Sequence, residues 1–275
     1  MSALDNLDRW GAPDARAAVV GRGGGRTVEV LEVRGDPTLR GEWASVTKLV
    51  TALAVLLAVE EEALALEEPA GPPGSTVRHL LAHTSGLAFD EDRVFDKPGE
   101  QRIYSNTGFD VLGALVGDRT GMPFADYLTE GVLSPLGMAA THLEGSPATG
   151  LVGPLDDLVR LARELLEPTL VSAVTLAKAT TVAFPGVGGV LPGFGRHRPL
   201  DWGLGFEVRD AKLPHWTGRG NSPATFGHFG RSGSFLWVDP AARLACAVLS
   251  GRDFGPWAKE AWPLLSDAVL AEHGA

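Results

Sequence analysis

Ser45 and Lys48 stand three positions apart at the head of an apolar stretch, a spacing that lets a lysine activate a serine nucleophile. On a helix, residues i and i+3 lie one turn apart on the same face. A serine hydroxyl is a poor nucleophile until a base is held against it, and a lysine is such a base when burial lowers its pKa. The same pattern is also typical of a serine that caps a helix. The pair alone leaves both interpretations open.

A second candidate group is Tyr104-Ser-Asn106, which follows a Pro-Gly turn and precedes a helical pattern. This position predicts a loop that projects into a cleft. A tyrosine can relay a proton when a nearby cation stabilises its phenolate, and the amide of Asn106 can bind a substrate carbonyl. In isolation the same residues are more typical of a capped loop.

A third group, His228-Phe-Gly230, comes just before an apolar strand pattern and is predicted to line a strand edge. Gly230 has no side chain and lets a substrate approach the backbone closely. The N–H of Arg231 can then stand beside the N–H of Ser45 as a second donor to the oxyanion of an acyl-transfer reaction. The competing interpretation is a histidine in a glycine-rich turn with no catalytic role.

The elements that must position these residues are strands at both ends of the chain and helices between them. Strand patterns cover 17–20, 27–33, 202–208, 234–239 and 243–250. A helix over 47–63 is apolar on nearly every face, as a buried central helix is. Other helical patterns cover 77–83, 109–119, 124–131, 155–166 and 257–272. Gly and Pro clusters at 69–74, 145–154 and 184–199 predict loops. This order predicts one sheet built from both termini, with a helical region inserted.

Composition limits the kind of partner. The chain has 275 residues and a formal net charge of -10, which argues against nucleic acid and anionic lipid as partners. The N-terminal segment lacks the apolar core of a signal peptide, and the longest apolar run, 49–59, is too short to span a bilayer. We therefore expect a cytoplasmic protein. The single cysteine, Cys246, lies in an apolar run and is predicted to be a buried structural thiol.

Other catalytic patterns are missing from the sequence. It contains no Gly-x-Ser-x-Gly, so the nucleophile elbow of an α/β-hydrolase is not supported. It contains neither H-E-x-x-H nor paired cysteines, so we expect no catalytic metal. The run Gly21-Arg-Gly-Gly-Gly-Arg26 lacks the last glycine of a phosphate-binding loop and precedes a strand pattern, so it predicts a hairpin turn.

Together and in this order, Ser-x-x-Lys, Tyr-x-Asn and His-x-Gly resemble the motifs of the penicillin-binding and class C β-lactamase family of serine hydrolases, which includes D,D-peptidases, D-amino-acid peptidases and esterases. The resemblance covers most of the chain, through Leu80-Leu-Ala-His-Thr-Ser-Gly-Leu87, Tyr104-Ser-Asn-Thr-Gly108, Ser134-Pro-Leu-Gly-Met138, Trp202-Gly-Leu-Gly-Phe206 and Phe226-Gly-His-Phe-Gly230. It implies an α+β fold (an α/β sandwich): an antiparallel sheet flanked by helices, with an inserted all-helical subdomain. We expect a single domain over 1–275, with a sheet part at about 1–50 and 175–275 and a helical part at about 51–174.

The resemblance also implies a mechanism that needs no cofactor. Ser45 attacks a carbonyl while Lys48 and Tyr104 take its proton. Tyr104 then protonates the leaving group and later activates water. The residues expected to bind the substrate or the oxyanion are Asn106, His228, Gly230 and Arg231. The phrase His83-Thr-Ser-Gly86 is implied to be a structural turn at a helix end, not a catalytic Ser–His pair.

Two departures from the β-lactamase pattern bear on the substrate. Where β-lactamases have Lys-Thr-Gly, this chain has His228-Phe-Gly230. A histidine carries only part of a charge near neutral pH, and Phe229 lacks a hydroxyl that could bind a carboxylate, although Arg231 is a cation that could compensate. In addition, only ten residues, 88–97, separate the His-Thr-Ser-Gly-Leu phrase from the turn before Tyr104. We therefore expect an open cleft, covered at most by the stretch 184–199.

The sequence thus predicts a serine hydrolase that forms an acyl-enzyme with a small ester, amide or β-lactam, with ester cleavage favoured over β-lactam hydrolysis. One alternative is a D,D-peptidase or D-amino-acid amidase. The lack of an export signal disfavours a cell-wall role, because that substrate lies outside the membrane. The other alternative is a catalytically silent binding or sensor protein that keeps the fold, against which the presence of all three motifs counts.

Overall fold

Strands near both ends of the chain enclose a run of helices. We describe them from a computed structural model over residues 2–22 and 27–274. In chain order the described strands are β1 (Arg16–Gly21), β2 (Glu29–Arg34), β3 (Arg40–Glu42), β4 (His142–Leu143), β5 (Leu151–Pro154), β6 (Gly189–Leu191), β7 (Gly195–His197), β8 (Glu207–Val208), β9 (Phe226–Phe229), β10 (Phe235–Asp239) and β11 (Leu244–Leu249). The α-helices are α1 (Thr47–Glu60), α2 (Val77–Leu81), α3 (Asn106–Thr120), α4 (Phe124–Leu128), α5 (Leu155–Leu166), α6 (Ala173–Ala179) and α7 (Pro256–His273). There are also 3₁₀ turns at Ala3–Arg9 and Ala44–Val46 and a π-helical turn at Thr129–Leu133.

The main sheet is antiparallel and joins the two ends of the chain. Its strand order is β2-β1-β11-β10-β9-β8, and β1 pairs directly with β11, with Val19 opposite Cys246. Both strands are buried along their whole length, as expected for central strands covered on both faces. The predicted α+β class, with an antiparallel sheet built from both termini and flanked by helices, is confirmed.

Alternate residues of the central strands belong to two separate cores. On β11, Ala245 and Ala247 pack with residues of α1 and α5, whereas Cys246 and Val248 pack with residues of α7, as the two-residue period of a strand requires. On the α7 side, Trp237 Nε1 donates to Ser266 Oγ at 3.0 Å. Burial raises the pKa of the Cys246 thiol, in agreement with a structural role.

Helix α1 is the buried helix between the sheet and the other helices. It is apolar on most faces, and nearly all of its side chains are buried. It ends at Glu60, three residues earlier than the predicted helix over 47–63. The glutamates at 60–62 are exposed, and Glu62 has a φ of 61°, so the helix ends where the chain leaves the core.

Two stretches predicted as loops contain short strands. Strand β5 pairs with β3 and β4 in a small sheet, and β6 pairs with β7 in a hairpin. The predicted strand over 202–208 is reduced to β8, because the residues before it turn tightly against α1. A Cβ atom on Gly205 would lie 2.2 Å from the Cβ of Ala52. Helix α6 and the turn at Ala3–Arg9 were not predicted, because both are too short to show a clear periodicity.

Two further expectations concern the turn after β1 and the possibility of a membrane-spanning helix. The hairpin turn predicted at Gly21–Arg26 falls on residues 23–26, which lie outside the described residues. Over the ranges described, no helix has both the length and the apolarity needed to cross a bilayer.

Candidate active site

Ser45 lies in the 3₁₀ turn immediately before α1, one turn away from Lys48. The turn begins at Ala44, whose φ of 45° marks a sharp bend. It is held by Trp43, which is fully buried, donates from its backbone N to Leu151 O at 2.9 Å and donates from Nε1 to Gly153 O at 3.2 Å. The small sheet that contains β5 therefore fixes the position of the serine.

The amine of Lys48 is buried and surrounded by oxygen atoms. Its Nζ lies 2.5 Å from Asn106 Oδ1, 3.0 Å from Ala148 O and 3.5 Å from Ser45 Oγ. Burial lowers the pKa of Lys48 to about 7, with Asp110 and Asp90 opposing part of that shift. A substantial fraction of Lys48 is therefore uncharged at neutral pH.

The partners of Lys48 also determine where its lone pair points. A neutral amine has two N–H donors and one lone pair. Asn106 Oδ1 and Ala148 O can only accept, so they take the two donors. The lone pair is then left for Ser45 Oγ, which can donate its proton to Nζ. This arrangement is suited to general-base activation of a serine.

Tyr104 lies on the loop before α3 and faces the same amine. Lys48 Nζ is 4.8 Å from the centre of its ring, and the His83 ring lies against it at 4.6 Å between centroids. The Tyr104 hydroxyl lies 3.3 Å from His228 Nε2. Burial raises the pKa of Tyr104, although the neighbouring Ser45 hydroxyl acts in the opposite direction. Tyr104 is therefore a protonated phenol in the resting site.

Two buried residues hold the Tyr104 loop in place. Arg102 donates from Nε to Leu200 O at 2.6 Å and from Nη2 to Ala183 O at 2.7 Å, which ties the loop to the stretch 183–200. His83 accepts the N–H of Ser105 on Nδ1 at 3.2 Å. The phrase His83–Gly86 follows the end of α2, where the sequence resemblance implies a structural turn.

His228 is neutral, which differs from the partly charged side chain that the sequence suggests. Burial, followed by the nearby Lys48, lowers its pKa to about 3. Its Nδ1 lies 2.7 Å from Phe229 O, a carbonyl that can only accept. Nδ1 therefore carries the proton, and Nε2 accepts from the Tyr104 hydroxyl. Because β8 pairs only with Phe226 and Gly227 of β9, the edge of β9 at His228 is open toward the cleft, as predicted.

Gly230 is packed directly against the turn that carries Ser45. A Cβ atom there would lie 2.6 Å from Trp43 O and 2.9 Å from the Cβ of Ala44. Only glycine fits, so the chain after β9 lies close to the serine. Among the described residues, none accepts a hydrogen bond from the backbone N–H of Ser45 or Arg231. The Arg231 side chain is exposed and lines the cavity.

Asn106 lies at the start of α3, but its amide is used differently from the prediction. Its Oδ1 accepts from Lys48, and its Nδ2 donates to Asp90 Oδ1 at 2.7 Å. The sequence predicts an amide that binds a substrate carbonyl. In the structure the amide lies between the base and a carboxylate, and Asn106 is not among the residues that line the cavity.

A cavity of about 230 Å³ opens beside Ser45. Its walls are mainly aromatic and aliphatic, and the hairpin of β6 and β7 contributes residues 191–193. The stretch 184–199 therefore covers part of the cleft, as expected, but Phe89 from the short segment 88–97 and Phe254 line it as well. The cavity is lined by Ser45, Phe89, Tyr104, Leu191, Pro192, Gly193, Trp202, Glu207, His228, Phe229, Arg231 and Phe254.

A buried ion pair lies at one wall of this cavity. Glu207 Oε1 is 2.7 Å from Lys212 Nζ, and both side chains are almost fully buried. Glu207 Oε2 accepts from Trp216 Nε1 at 3.0 Å and contacts His215 Nε2 at 2.9 Å. Burial alone would raise the pKa of Glu207, but His215 and Lys212 hold it below its usual range. The carboxylate is therefore already neutralised within the protein.

The described residues contain one group with the spacing of metal ligands, and it lies between the chain ends. It consists of Glu32, Glu272 and His273. Glu272 accepts the N–H of Ala3 at 2.6 Å, and Glu32 lies 3.0 Å from His273 Nε2. These bonds join the N-terminal turn, β2 and α7, so the group has a structural role.

Comparisons with known proteins agree with this fold. The sequence pattern of the family described as Beta-lactamase matches residues 8–270. A solved β-lactamase from Mycobacterium bovis is 54% identical, with 100% of each chain covered and a TM-score of 0.96. A D-stereospecific amidohydrolase from Streptomyces has the same fold, with 19% identity, 98% coverage of each chain and a TM-score of 0.73. Penicillin-binding protein 4* of Bacillus subtilis is 32% identical over 37% of this chain and 30% of its own length, so the match spans less than a third of that relative.

Proposed function

The chain belongs to the Beta-lactamase family of hydrolytic serine enzymes, and we propose that it hydrolyses small, uncharged carboxylic esters through an acyl-enzyme on Ser45. One observation carries the proposal. Lys48, whose pKa is lowered to about 7, has an oxygen acceptor for each of its two amine donors and therefore directs its lone pair at Ser45.

In the acylation step, Ser45 Oγ forms a bond to the substrate carbonyl carbon while its proton passes to Lys48 Nζ. The carbonyl oxygen becomes an oxyanion, which the N–H groups of Ser45 and Arg231 stabilise. The Tyr104 hydroxyl then gives its proton to the leaving alcohol as the carbon–oxygen bond breaks. The enzyme is left with an ammonium on Lys48 and a phenolate on Tyr104.

The deacylation step reverses these charges. The Tyr104 phenolate takes a proton from water, and the hydroxide attacks the acyl carbon. As the tetrahedral intermediate collapses, the Lys48 ammonium returns its proton to Ser45 Oγ. Both residues end in their starting state, so the cycle needs no cofactor. His228 Nε2 holds the Tyr104 hydroxyl in place and does not itself change its charge.

The preference for uncharged esters rests on the cavity walls. Phe229 lines the cavity and packs against the rings of Phe254 and Trp262 at centroid distances of 5.2 and 5.7 Å. His228 offers no positive charge, because its pKa is lowered to about 3. Glu207 is already paired with Lys212. A neutral acyl group can be buried here at no electrostatic cost, whereas a carboxylate would lose its hydration.

The nucleophile is tested by labelling with a fluorophosphonate probe and mapping the modified peptide. We expect labelling at Ser45 and its loss in Ser45→Ala. Ser232→Ala is the matched control, since Ser232 is a partly exposed serine near the cleft whose hydroxyl donates to Glu42 O at 2.8 Å. Undiminished labelling of Ser45→Ala, or modification at Ser232, would rule out the proposed nucleophile.

The substrate class is tested with two esters that share one leaving group, nitrophenyl butyrate and nitrophenyl hemisuccinate. They have acyl groups of similar size and differ in one carboxylate. We expect kcat/KM to favour the butyrate by roughly fivefold to a hundredfold, the range for the desolvation of one poorly paired charge.

A second candidate function is a peptidase or amidase for substrates with a free carboxylate, and Arg231 favours it. Arg231 is exposed and lines the cavity, so its guanidinium is available to a carboxylate. A preference for the hemisuccinate that disappears in Arg231→Ala would support this function and overturn the ester preference. D-Alanyl peptides and a chromogenic cephalosporin complete the substrate panel.

A further inference from the structure

Lys48, Asn106 and Asp90 form a continuous chain of hydrogen bonds from the base to the protein surface. The Lys48 amine donates to Asn106 Oδ1 over 2.5 Å, and Asn106 Nδ2 donates to Asp90 Oδ1 over 2.7 Å. Asp90 is exposed and has no contact with the cavity. Neither the sequence motifs nor the proposed mechanism gives it a task.

The two ends of this chain fix the orientation of the Asn106 amide. An ammonium or amine offers donors to Oδ1, and a carboxylate can only accept from Nδ2. Rotating the amide by half a turn would therefore place two donors together at Lys48 and two acceptors together at Asp90. With Asp90 present, the wrong orientation loses two hydrogen bonds; without it, only the bond to Lys48 opposes the rotation.

Asp90 is held in place by the backbone although its side chain is exposed. Asn106 N donates to Phe89 O at 2.7 Å, and Ser105 Oγ donates to Ala88 O at 2.6 Å. These bonds fasten residues 88–89 to the start of α3. Asp90 directly follows this fastened segment, so its carboxylate is held close to Asn106.

We propose that Asp90 is a positioning residue that acts through Asn106 on the amine of Lys48, keeping the lone pair of that amine directed at Ser45. The inference rests on the proposed function, because it assigns Lys48 the role of base. It gives Asn106 a task at the base in place of substrate binding. Asp90 itself touches neither the substrate nor the reacting atoms.

The electrostatic effect of Asp90 has to be separated from its positioning effect. The ionisable groups around the Lys48 amine are Asp90, Asp110, Tyr104, His83 and His228. The two histidines are neutral because burial lowers their pKa values, and Tyr104 is protonated. The two carboxylates are therefore the charges that act on Lys48, and both raise its pKa.

Asp110 supplies the control for the charge effect on Lys48. Asp90 also raises the pKa of Tyr104, and Asp90→Asn, which removes that charge and keeps an acceptor, controls for it. Asp110 exerts the larger of the two charge effects on Lys48, yet its carboxylate accepts from Ser146 Oγ at 2.5 Å and is not hydrogen-bonded to Asn106. Removing either carboxylate lowers the pKa of Lys48 and moves the rising limb of the kcat/KM–pH profile to lower pH. Only the loss of Asp90 also frees the amide, which lowers the plateau of that profile.

The experiment compares plateau values of kcat and KM for a neutral ester in Asp90→Ala, Asp90→Asn and Asp110→Ala. We expect Asp90→Ala to lower kcat by roughly twofold to tenfold, the effect of one hydrogen bond, with KM unchanged. Asp90→Asn keeps an acceptor oxygen and should recover most of that loss. Asp110→Ala should keep the wild-type plateau. A wild-type plateau in Asp90→Ala, or an equal loss in Asp110→Ala, would overturn the inference.

A double-mutant cycle tests whether Asp90 acts through Asn106. We expect Asn106→Ala to be slower than Asp90→Ala, and the double variant to be no slower than Asn106→Ala. Additive losses would show that Asp90 acts by another route. Ser45→Ala serves as the reference: if it keeps ester hydrolysis, the proposed function fails. If it is inactive while Asp90→Ala matches the wild type, only the role of Asp90 fails.

Discussion

Replacing Gly230 by alanine would separate the chain after β9 from the turn that carries Ser45. The new Cβ would lie 2.6 Å from Trp43 O, 2.5 Å from Ser234 Oγ and 2.9 Å from the Cβ of Ala44. Ordinary contacts between such atoms begin at about 3.5 Å, so the two segments must move apart by about 0.9 Å. The N–H of Arg231 moves with Gly230, and a donor displaced by about 1 Å costs on the order of 10²-fold in rate.

The assay for Gly230→Ala is kcat/KM for a neutral ester, normalised to the folded fraction by active-site titration and thermal melting. Overpacking alone should cost about 1–3 kcal/mol of stability. Gly21→Ala is the control, because its Cβ would lie 2.4 Å from Leu244 Cδ2 at the far end of β1. It should lose stability and keep its activity. Wild-type turnover by folded Gly230→Ala would refute the assignment of Arg231 N–H to the oxyanion.

Three other predictions concern protonation and stability. Lys48→Ala and Tyr104→Phe should each lower kcat by on the order of 10²-fold or more. The double variant should be little slower than either single variant, because both residues belong to one proton-transfer cycle. Additive losses would contradict this. The kcat/KM–pH profile should rise with an apparent pKa of about 7, because the neutral Lys48 amine is the base. His228 should add no further step between pH 5 and 8, because its pKa is about 3. A falling limb in that interval would contradict this expectation. Glu207→Gln should lower the free energy of unfolding by about 3–5 kcal/mol, because it removes the ion-pair partner of the buried Lys212. Urea denaturation measures the loss, and adding Lys212→Met should restore much of it.

The central pair of the site could be predicted because its geometry is local. Ser45 and Lys48 are separated by one turn, and the apolar sequence after them predicts that Lys48 is buried. Burial in turn predicts a lowered pKa, which is what the structure has. The sheet built from both termini could likewise be predicted, since strand patterns at the two ends need a shared partner.

The contacts of Asn106 and His228 could not be predicted, because each residue has at least one partner far away in the sequence. The amide of Asn106 is committed to Lys48 and Asp90, which lie 58 and 16 positions away. The tautomer of His228 follows from the Phe229 carbonyl and from Tyr104, 124 positions away. A motif states which donors and acceptors are present, but not which of them are already occupied.

The aromatic walls of the cavity were also out of reach of the sequence patterns. Trp202 was predicted to lie in a strand, and Phe254 lies in a connection between β11 and α7 that no pattern singled out. Both line the cavity beside Ser45. An aromatic residue in a loop has no periodicity that reveals its partner, so only the folded chain can place it.

Burial acts on Lys48 and Tyr104 in opposite directions, and on the proposed mechanism this links the chemistry to the choice of substrate. It lowers the pKa of Lys48 and raises that of Tyr104, so the resting site holds a neutral phenol, a neutral His228 and an amine of which a substantial fraction is uncharged at neutral pH. A substrate carboxylate placed beside Lys48 would raise the pKa of the amine again, as Asp90 and Asp110 already do, and would convert the base into an ammonium. A neutral ester leaves the base in its active form. On the proposed mechanism, the low-dielectric site that makes Lys48 a base should therefore also disfavour anionic substrates, and we expect this preference in addition to any effect of cavity shape.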